Sequence, residues 1–319
     1  MCPCAYRHMC KLEEKNLATN SKSAPSAPKL SRPLTITVAN EKGGVGKTSI
    51  NRYLPFVLAE RGYKVLVIDA DPQANLSKTM GITKKAYAPD EIFIVEKSMM
   101  AAVRDGDLEP ALVNVVPNLD EVPSDIDFAS FSTFLSKKYG LADRTDDDYY
   151  EVESKKVRVL KDLIEPIKPN YDFIFIDTPP QPRSDSTRNA TMASDYVIIA
   201  FQTQSDSLDG AISFINGTLT ELHETFGAET DVLGILPNQV SNSGAIDQVV
   251  IEDAIRMFGE QNMFKHIIPF AKRIQSAPRG GVTRQGYWNT KLFKDVFDPL
   301  ADDLIERLEM VGEINDGTN

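Results

Sequence analysis

Cysteine is nearly absent from this sequence of 319 residues. The three that it has, Cys2, Cys4 and Cys10, all lie in the first ten residues. A disulfide framework is therefore excluded for the rest of the chain, and we expect a reducing compartment such as the cytoplasm. Together with His8, these cysteines could supply zinc ligands, but their spacing matches no established zinc-binding pattern.

Long hydrophobic runs are also missing. No uninterrupted apolar stretch reaches the roughly 20 residues that a membrane-spanning helix needs. No apolar core of the signal-peptide type stands near the N-terminus either. We therefore expect a soluble protein that does not bind membranes.

The sequence has fewer basic than acidic residues. The chain has 35 Lys and Arg residues against 46 Asp and Glu, which gives a formal net charge of −11. This balance argues at first against a nucleic-acid partner. Net charge is nevertheless a weak guide, because a local cluster of basic residues decides such binding.

The first 33 residues differ in composition from the rest. They carry six basic and two acidic residues among Ser, Ala and Pro. This composition predicts a flexible basic arm, which either touches DNA or has no role of its own. We expect one α/β domain over residues 34–305, followed by a polar, acidic tail over residues 306–319.

A glycine-rich loop stands between an apolar run and a predicted helix. Residues 34–38 predict a strand, and the helix is expected to begin at Thr48. A phosphate-binding loop requires this order, because glycines let backbone N–H groups converge on phosphate oxygens and the helix N-terminus adds further donors. In such a loop, Lys47 reaches the β- and γ-phosphates and the Thr48 hydroxyl binds Mg²⁺.

Two further apolar runs end in carboxylates. Residues 65–68 lead into Asp69 and Asp71, and residues 173–176 lead into Asp177. Both runs predict buried parallel strands, and α/β sheets bind their ligands at the carboxyl ends of such strands. Carboxylate oxygens at this edge suit Mg²⁺. The alternative for the first two aspartates, taken alone, is an acidic turn that caps a helix.

The spacing of the loop resembles that of one family. Residues 42–48, Lys-Gly-Gly-Val-Gly-Lys-Thr, are similar to the deviant Walker A motif of the ParA/MinD ATPases, which has a second lysine five residues before the loop lysine. Residues 69–76, Asp-Ala-Asp-Pro-Gln-Ala-Asn-Leu, and residues 177–180, Asp-Thr-Pro-Pro, resemble signatures of its ParA branch. Residues 207–210, Ser-Leu-Asp-Gly, resemble the helix start that follows in that branch.

This resemblance implies a fold, cofactors and roles for single residues. The fold would be a single doubly wound, mostly parallel, twisted α/β sheet of seven or eight strands with helices on both faces. The cofactors would be ATP and Mg²⁺, with two subunits enclosing two ATP molecules. The implied catalytic residues are Lys42, which reaches the partner's phosphates, Lys47, and Asp71, which positions the attacking water. The implied ATP-binding residues are Lys42, Gly43, Gly44, Val45, Gly46, Lys47, Thr48, Ser49 and Asn238, and the implied metal site comprises Thr48, Asp69, Asp71 and Asp177.

Asn238 ends a further predicted strand over residues 232–238. In the family an asparagine at this place pairs with the adenine edge, and its amide offers the donor and the acceptor that the edge requires. The alternative is an asparagine that only closes a turn at the end of the strand.

One segment is basic although the chain as a whole is acidic. Residues 265–294, which we call the basic segment, hold seven lysines and arginines and no acidic residue. Its centre, residues 273–281, predicts a loop that could contact a DNA backbone without sequence preference. The predicted DNA-binding residues are Lys272, Arg273, Arg279, Arg284, Lys291 and Lys294. A basic face that balances the acidic remainder or pairs with a partner subunit is the alternative, and Tyr287 and Trp288 are expected in core or rim packing.

The resemblance also narrows the function. The absence of cysteine after Cys10 argues against the iron–sulfur proteins of the family, and the acidic C-terminal end argues against a MinD-type membrane helix. What remains is a ParA/Soj-like ATPase for DNA segregation, on the nucleoid in the bacterial cytoplasm. Its ATP-bound homodimer would hold non-specific double-stranded DNA until a ParB-like centromere-binding protein triggers an otherwise slow hydrolysis. The alternatives are an ATPase that positions a protein cargo or the division machinery, and a metabolic ATP-dependent ligase.

Overall fold

The computed structural model describes residues 28–91, 94–181, 183–203, 205–241 and 245–314. The cysteines and most of the predicted basic arm lie outside these ranges, so the possible zinc ligands do too. Within them, eight strands form one sheet. The strands are β1 (Leu34–Ala39), β2 (Val65–Asp69), β3 (Val113–Val116), β4 (Leu119–Val122), β5 (Phe173–Asp177), β6 (Tyr196–Gln202), β7 (Asp231–Val240) and β8 (Ile268–Pro269).

The order of strands across the sheet is β3-β4-β2-β5-β1-β6-β7-β8. Every neighbouring pair is parallel except β3 and β4, which form an antiparallel edge. Strand β1, which precedes the glycine-rich loop, lies near the centre. The predicted α/β fold with one mostly parallel sheet is therefore confirmed.

Helices connect the parallel strands, since each crossover has to return the chain to the same end of the sheet. They are α1 (Lys47–Glu60), α2 (Asn75–Tyr87), α3 (Met99–Asp105), α4 (Phe131–Tyr139), α5 (Tyr149–Val157), α6 (Val159–Ile164), α7 (Asp185–Ala193), α8 (Ser205–Ser213), α9 (Thr220–Phe226), α10 (Ala245–Phe258), α11 (Lys272–Gly280), α12 (Tyr287–Leu292) and α13 (Asp298–Met310). Two π-helical segments, Phe214–Leu219 and Phe293–Phe297, join α8 to α9 and α12 to α13. Short 3₁₀ turns lie at Glu109–Ala111, Ile126–Ser130, Lys168–Asn170 and Glu260–Asn262.

The sheet is buried on both faces, which is why its central strands are continuously apolar. Along β2, Val65 and Val67 pack into one core, and Leu66 and Ile68 pack into the other. Successive side chains of a strand lie on opposite faces, so a single run of apolar residues supplies both cores. Helices α1 and α13 cover the first face, and α3, α4 and α6 cover the second.

The carboxyl ends of the strands gather the predicted site residues. Asn40 directly follows β1, and Asp69 lies opposite Asp177 in the register of β2 and β5. Gln202 ends β6 and lies opposite Asn238 of β7. Five polar side chains from five different strand ends therefore meet at one edge of the sheet.

The two ends of the described chain meet at the opposite edge, at the amino ends of β1 and β6. Leu30 forms a β-bridge with Ile314. The Arg32 guanidinium binds the carboxylates of Asp195 and Glu313. We call Arg32, Asp195 and Glu313 the terminal clasp.

The clasp carboxyls are held in their charged form. Burial alone would raise the pKa of Asp195, but hydrogen bonds from Lys168 and Arg32 lower it below its ordinary range. Burial alone would likewise raise the pKa of Glu313, but hydrogen bonds from Ser31 and Arg32 lower it. The clasp therefore contributes stability above the ordinary carboxyl pKa and loses it as the pH falls.

Packing continues past residue 305, where the domain was predicted to end. Helix α13 runs on to Met310, and Leu308 is fully buried. Since Glu313 belongs to the clasp, the predicted boundary falls inside a helix and most of the predicted tail is part of the domain. No helix within the described ranges has both the length and the apolar composition of a membrane span.

Candidate functional site

The glycine-rich loop is held in a conformation that glycine favours. Gly44 and Gly46 have φ angles of 81° and 88°, a region that other residues adopt only with strain. A Cβ atom at position 46 would lie 2.1 Å from Nδ2 of Asn238. Glycine is therefore required at position 46 both by the backbone conformation and by the close approach of β7.

Helix α1 begins directly after this turn without a side-chain cap. Gly46 is the N-cap residue, no side chain of the described residues caps the helix, and its first turn contains no acidic residue. The first backbone N–H groups of a helix lack partners inside the helix and carry the positive end of its dipole. The start of α1 is therefore suited to bind an anion such as a phosphate.

Lys47 is buried at the base of the loop. Its Nζ donates to the Asn40 carbonyl oxygen at 3.2 Å, and the residue is 6% exposed. Burial lowers the pKa of Lys47, and the nearby charges of Asp177 and Asp71 oppose this shift. The Lys47 ammonium thus lies near two carboxylates, and it can bind a further anion such as a phosphate.

A cavity of about 300 Å³ opens in front of the loop. Residues 44–49, which include Lys47 and Thr48, line this cavity. The other residues that line it are Asp71, Gln73, Asn75, Thr178, Pro180 and Gln239. The structure therefore brings the predicted phosphate loop and Asp71 together around one space.

The three predicted metal-binding aspartates lie in different surroundings. Both oxygens of Asp69 are occupied: Oδ1 accepts from the Asp71 N–H at 3.1 Å, and Oδ2 accepts from the N–H and hydroxyl of Ser77 at 2.9 and 2.7 Å. Asp177 accepts from Asn51 at 2.8 Å through Oδ1, whereas its buried Oδ2 has no partner within the described residues. Asp177 can thus accept a further ligand more readily than Asp69.

Burial raises the pKa values of the paired carboxyls. The pKa of Asp69 is raised to about 7 by burial and by the neighbouring Asp177 charge. Burial also raises the pKa of Asp177, against the hydrogen bond from Asn51. A cation held beside these two carboxyls would stabilise their charged forms.

Asp71 stands at the rim of the cavity. Its Oδ1 accepts from the Gln73 N–H at 2.9 Å, so the side chain is fixed by the turn that precedes α2. The residue is 5% exposed and lines the space in front of Lys47. This geometry suits a carboxylate that orients a water molecule or a ligand in the cavity.

Helix α8 and the π-helical segment that follows it bind the two residues that precede the glycines. The Lys42 ammonium forms a 2.8 Å ion pair with Asp206. Glu41 accepts from Ser213 at 2.6 Å and from Thr218 at 3.2 Å. In this structure, Lys42 therefore contacts α8 of its own chain, while Lys47 lines the cavity.

Gly210 allows α8 to approach the loop this closely. A Cβ atom at position 210 would lie 2.4 Å from Oδ1 of Asn40 and 3.0 Å from the backbone nitrogen of Lys42. Oδ1 of Asn40 accepts from that same Lys42 nitrogen at 2.7 Å. The glycine of the Ser-Leu-Asp-Gly motif therefore has a packing role that its sequence alone does not explain.

Asn238 lies under the loop. Its Nδ2 donates to the Val45 carbonyl oxygen at 2.6 Å, and its Oδ1 accepts from the Gln239 N–H at 2.8 Å. Both ends of the amide are thus engaged, and the residue is 2% exposed. In this conformation Asn238 supports the loop instead of presenting its amide to a base.

Several residues of the site were not predicted from the sequence. Gln202 and Gln239 both donate to the Gly44 carbonyl oxygen, at 2.6 and 2.8 Å. Asn51 binds Asp177, and Ser77 binds Asp69. Asn51 follows Thr48 by three residues and so lies on the same face of α1, which is the one spacing signal that could have indicated it.

The centre of the basic segment is a helix, so the predicted loop over residues 273–281 is wrong. Helix α11 spans Lys272–Gly280 and includes Pro278. Ile274 and Ala277 are buried, and the Val282 N–H donates to Thr83 of α2 at 2.8 Å. Packing against α2 thus stabilises a helix in a stretch whose proline and glycines predicted a loop.

Three cations of the basic segment are paired with acidic residues from outside it. Arg284 binds Glu60 and Asp298, each in an ion pair of 2.6–2.7 Å. Lys291 binds Asp295 at 2.8 Å, and Lys265 binds Glu306. The position of Arg284 speaks against its predicted contact with DNA, because its guanidinium already joins α1 to α13.

Four predicted DNA-binding cations remain exposed. Within the described residues, no carboxylate forms an ion pair with Lys272, Arg273, Arg279 or Lys294. Three of them lie on α11. The structure therefore leaves part of the predicted basic surface available to an external anion.

The prediction that Tyr287 and Trp288 pack in the core or its rim is wrong. Their exposed fractions are 72% and 64%, and the two rings form an edge-to-face pair with centroids 5.1 Å apart. Helix α12 buries Leu292 instead.

The sequence matches a family model described as an AAA domain over residues 34–232. The chain is 31% identical over 247 residues to the sporulation initiation inhibitor protein Soj of Bacillus subtilis, covering 77% of this chain and 88% of Soj. It is 29% identical to the maintenance of carboxysome distribution protein A of Synechococcus elongatus, covering 64% of this chain and 71% of that protein.

Two solved structures share the fold. Apo McdA of Cyanothece aligns with a TM-score of 0.69 and 20% identity, covering 86% of this chain and 99% of McdA. Cobyrinic acid a,c-diamide synthase of Mycobacterium smegmatis, with a bound ATP analogue and magnesium, aligns with a TM-score of 0.67 and 21% identity, covering 90% of this chain and all of that one. Together with the loop geometry and the match to Soj, these findings show that the chain belongs to the ParA/Soj-like ATPases of the MinD/ParA family.

Proposed function

We propose that this protein is a Mg²⁺-dependent ATPase whose ATP-bound dimer binds DNA without sequence preference, and that it segregates DNA in the bacterial cytoplasm. The observation that supports the proposal is that exposed cations lie on α11, a helix that borders the loop helix across a small cavity. A small cavity of about 30 Å³ is lined by Ser49 of the loop helix and by Ile274 and Gln275 of α11.

The residues present fit ATP and Mg²⁺. The uncapped start of α1 and the Lys47 ammonium would bind the phosphates. Thr48 and the unpartnered oxygen of Asp177 are hard oxygen ligands of the kind that Mg²⁺ prefers. Asp69, which lies opposite Asp177, would complete the surroundings of the cation, and Asp71 would position the attacking water.

When bound there, Mg²⁺ would neutralise part of the phosphate charge for phosphoryl transfer. Lys42 would leave Asp206 and reach the phosphates of the partner subunit, so that each subunit completes the site of the other. Asn238 would contact adenine only after its amide releases the loop. We expect slow turnover until a ParB-like centromere-binding protein stimulates it.

Dimerisation would place two basic segments side by side. For duplex DNA, the slope of log affinity against log salt is about −0.9 per neutralised phosphate, so a dimer that neutralises twice as many phosphates has twice the slope. A monomer that binds too weakly to be retained on DNA would thus become a dimer that is retained. The switch is allosteric if ATP and DNA each favour the dimer.

The proposal is tested by reversing one exposed charge. Arg279→Glu should leave the ATP-dependent dimer intact, as measured by light scattering, and weaken binding to random-sequence duplex DNA. The dimer would neutralise two fewer phosphates, so its salt slope should fall by about 1.8. Lys137→Glu on α4 is a matched control, because it makes the same charge change at an exposed position outside the basic segment. Equal DNA binding by the two variants would contradict the assignment of this surface.

A second candidate function is the positioning of a protein cargo. It is favoured by the likeness to the maintenance of carboxysome distribution protein A. In that case ATPase activity would respond to a cargo adaptor, and the Arg279→Glu variant would still form its dimer. ATPase activity that stays flat with DNA and rises with an adaptor would favour this candidate.

A further inference from the structure

Two aromatic rings stand on the surface of the basic segment. Tyr287 and Trp288 begin α12 directly after Gly286, whose φ of 85° turns the chain. Both are more than three-fifths exposed, although large aromatic side chains are usually mostly buried. Their edge-to-face contact keeps the two rings together as one unit.

The turn that carries the rings is braced. Asn289 accepts from Arg273 of α11 at 2.7 Å and donates to the Gln285 carbonyl oxygen at 2.9 Å. Thr290 donates to the Arg284 carbonyl oxygen at 2.8 Å, and the ion pairs of Arg284 fix that residue to α1 and α13. The rings are therefore presented on a fixed support, and ordering them on binding carries a small entropic cost.

The charges around the rings indicate what they contact. Arg273 reaches α12 through Asn289, and Lys291 lies one helical turn beyond Tyr287 and Trp288. Cations beside exposed rings match a nucleic acid, whose phosphates take the charges while its bases take the aromatic faces. Apart from Lys291, which already binds Asp295, the cations of this surface would gain no anion from an apolar protein partner.

We propose that Tyr287 and Trp288 contact the bases of bound duplex DNA, inserting at a base step while the neighbouring cations hold the phosphates. Apolar and aromatic wedges of this kind unstack a step and bend the duplex. The inference rests on the proposed DNA-binding function and adds to it a part of the affinity that does not depend on salt. It also predicts tighter binding to duplexes rich in flexible pyrimidine–purine steps, which reflects how easily the duplex deforms and does not require recognition of a base sequence.

The fluorescence of Trp288 reports its contacts directly, because it is the only tryptophan of the chain. In the full-length protein with Mg-ATP, random-sequence duplex DNA should quench its emission. Trp288→Ala should weaken DNA binding roughly five- to 150-fold for each aromatic–base stack that the dimer loses, with an unchanged salt slope. Lys272→Ala should instead lower the slope by about 0.9 for each phosphate that is no longer neutralised.

Two further variants control for nonspecific effects. Trp288→Phe should retain most of the affinity, since it keeps an aromatic face. Tyr150→Ala removes a ring that is 58% exposed outside the basic segment and should leave binding unchanged.

The outcomes separate this inference from the function on which it rests. If ATP-dependent DNA binding occurs with unchanged emission, and Trp288→Ala binds like the wild type, the inference is overturned and the proposed function stands. Quenching by ATP without DNA, together with loss of the dimer in Trp288→Ala, would assign the rings to the subunit interface and also overturn it. Absence of DNA binding in every nucleotide state would refute the proposed function itself.

Discussion

Replacing Gly210 by alanine should disturb the nucleotide site from a helix that lies outside its cavity. The added methyl group would lie 2.4 Å from Oδ1 of Asn40 and 3.0 Å from the Lys42 nitrogen, both shorter than a van der Waals contact. The polar contacts at stake are those of the Asn40 amide, which accepts from Lys42 and donates to the carbonyl oxygens of Ala200 and Ser207 at 2.8 and 3.0 Å. Asn40 has to move, and these three hydrogen bonds weaken together.

The expected cost follows from these contacts. Overpacking a tight site costs about 1–3 kcal/mol, and each weakened hydrogen bond costs about 1 kcal/mol. Alanine regains up to about 1 kcal/mol through its higher helix propensity. Together these terms give a net loss of about 3–5 kcal/mol, which lowers the Tm by roughly 6–20 °C at about 2–4 °C per kcal/mol for a large domain.

Calorimetry without nucleotide measures this loss, because bound ligand would itself shift the Tm. Binding of a non-hydrolysable ATP analogue should weaken as well, since the loop backbone moves with Asn40 and Lys42. Gly280→Ala is the matched control: no atom lies within 4 Å of the Cβ position, so that variant should be neutral or slightly more stable. If Gly210→Ala matches Gly280→Ala in Tm and in analogue binding, the packing argument is refuted.

Three further variants probe separate parts of the molecule. Lys47→Ala should abolish ATP binding in calorimetric titration, because the loop loses the cation that faces the phosphates; retained affinity would contradict the assignment of the loop. Asp206→Asn should release Lys42 and strengthen the ATP-dependent dimer by up to about fivefold, the worth of an exposed ion pair, and a weaker dimer in analytical ultracentrifugation would argue against the crossing of Lys42 to the partner. Arg32→Gln should lower the Tm at neutral pH and lose this effect as the pH falls below about 4, because the clasp carboxylates have lowered pKa values and their contribution vanishes on protonation. An effect that persists in acid would mean that the clasp does not act through its charges.

The sheet and the phosphate loop were predictable because local residues determine them. Fully apolar runs such as residues 65–68 predict buried parallel strands, and the spacing of Gly43, Gly44, Gly46 and Lys47 permits few other structures. Asp69 and Asp177 could be placed at one sheet edge because parallel strands carry their ligands there. Their different hydrogen bonding was not predictable, since Ser77 and Asn51 approach from separate helices.

The basic segment was harder to predict because distant residues decide its structure. Pro278 and the following glycines predicted a loop, whereas packing of Ile274 and Ala277 against the domain holds a helix. The partners of Arg284 lie 224 and 14 residues away in sequence. From the sequence alone, Arg284 was therefore expected to be free to bind DNA. Trp288 was likewise expected in core or rim packing, because aromatic side chains are usually buried.

The most direct test of the proposed switch is binding to random-sequence duplex DNA with Mg-ATP, with Mg-ADP and without nucleotide. We would compare the wild type with Asp71→Ala, which should bind ATP and form the dimer but hydrolyse poorly. The proposed function predicts tight, salt-sensitive DNA binding with Mg-ATP only, and longer-lived binding in Asp71→Ala. DNA binding that is absent in every nucleotide state, while ATP still drives dimerisation, would contradict DNA segregation and favour the positioning of a protein cargo.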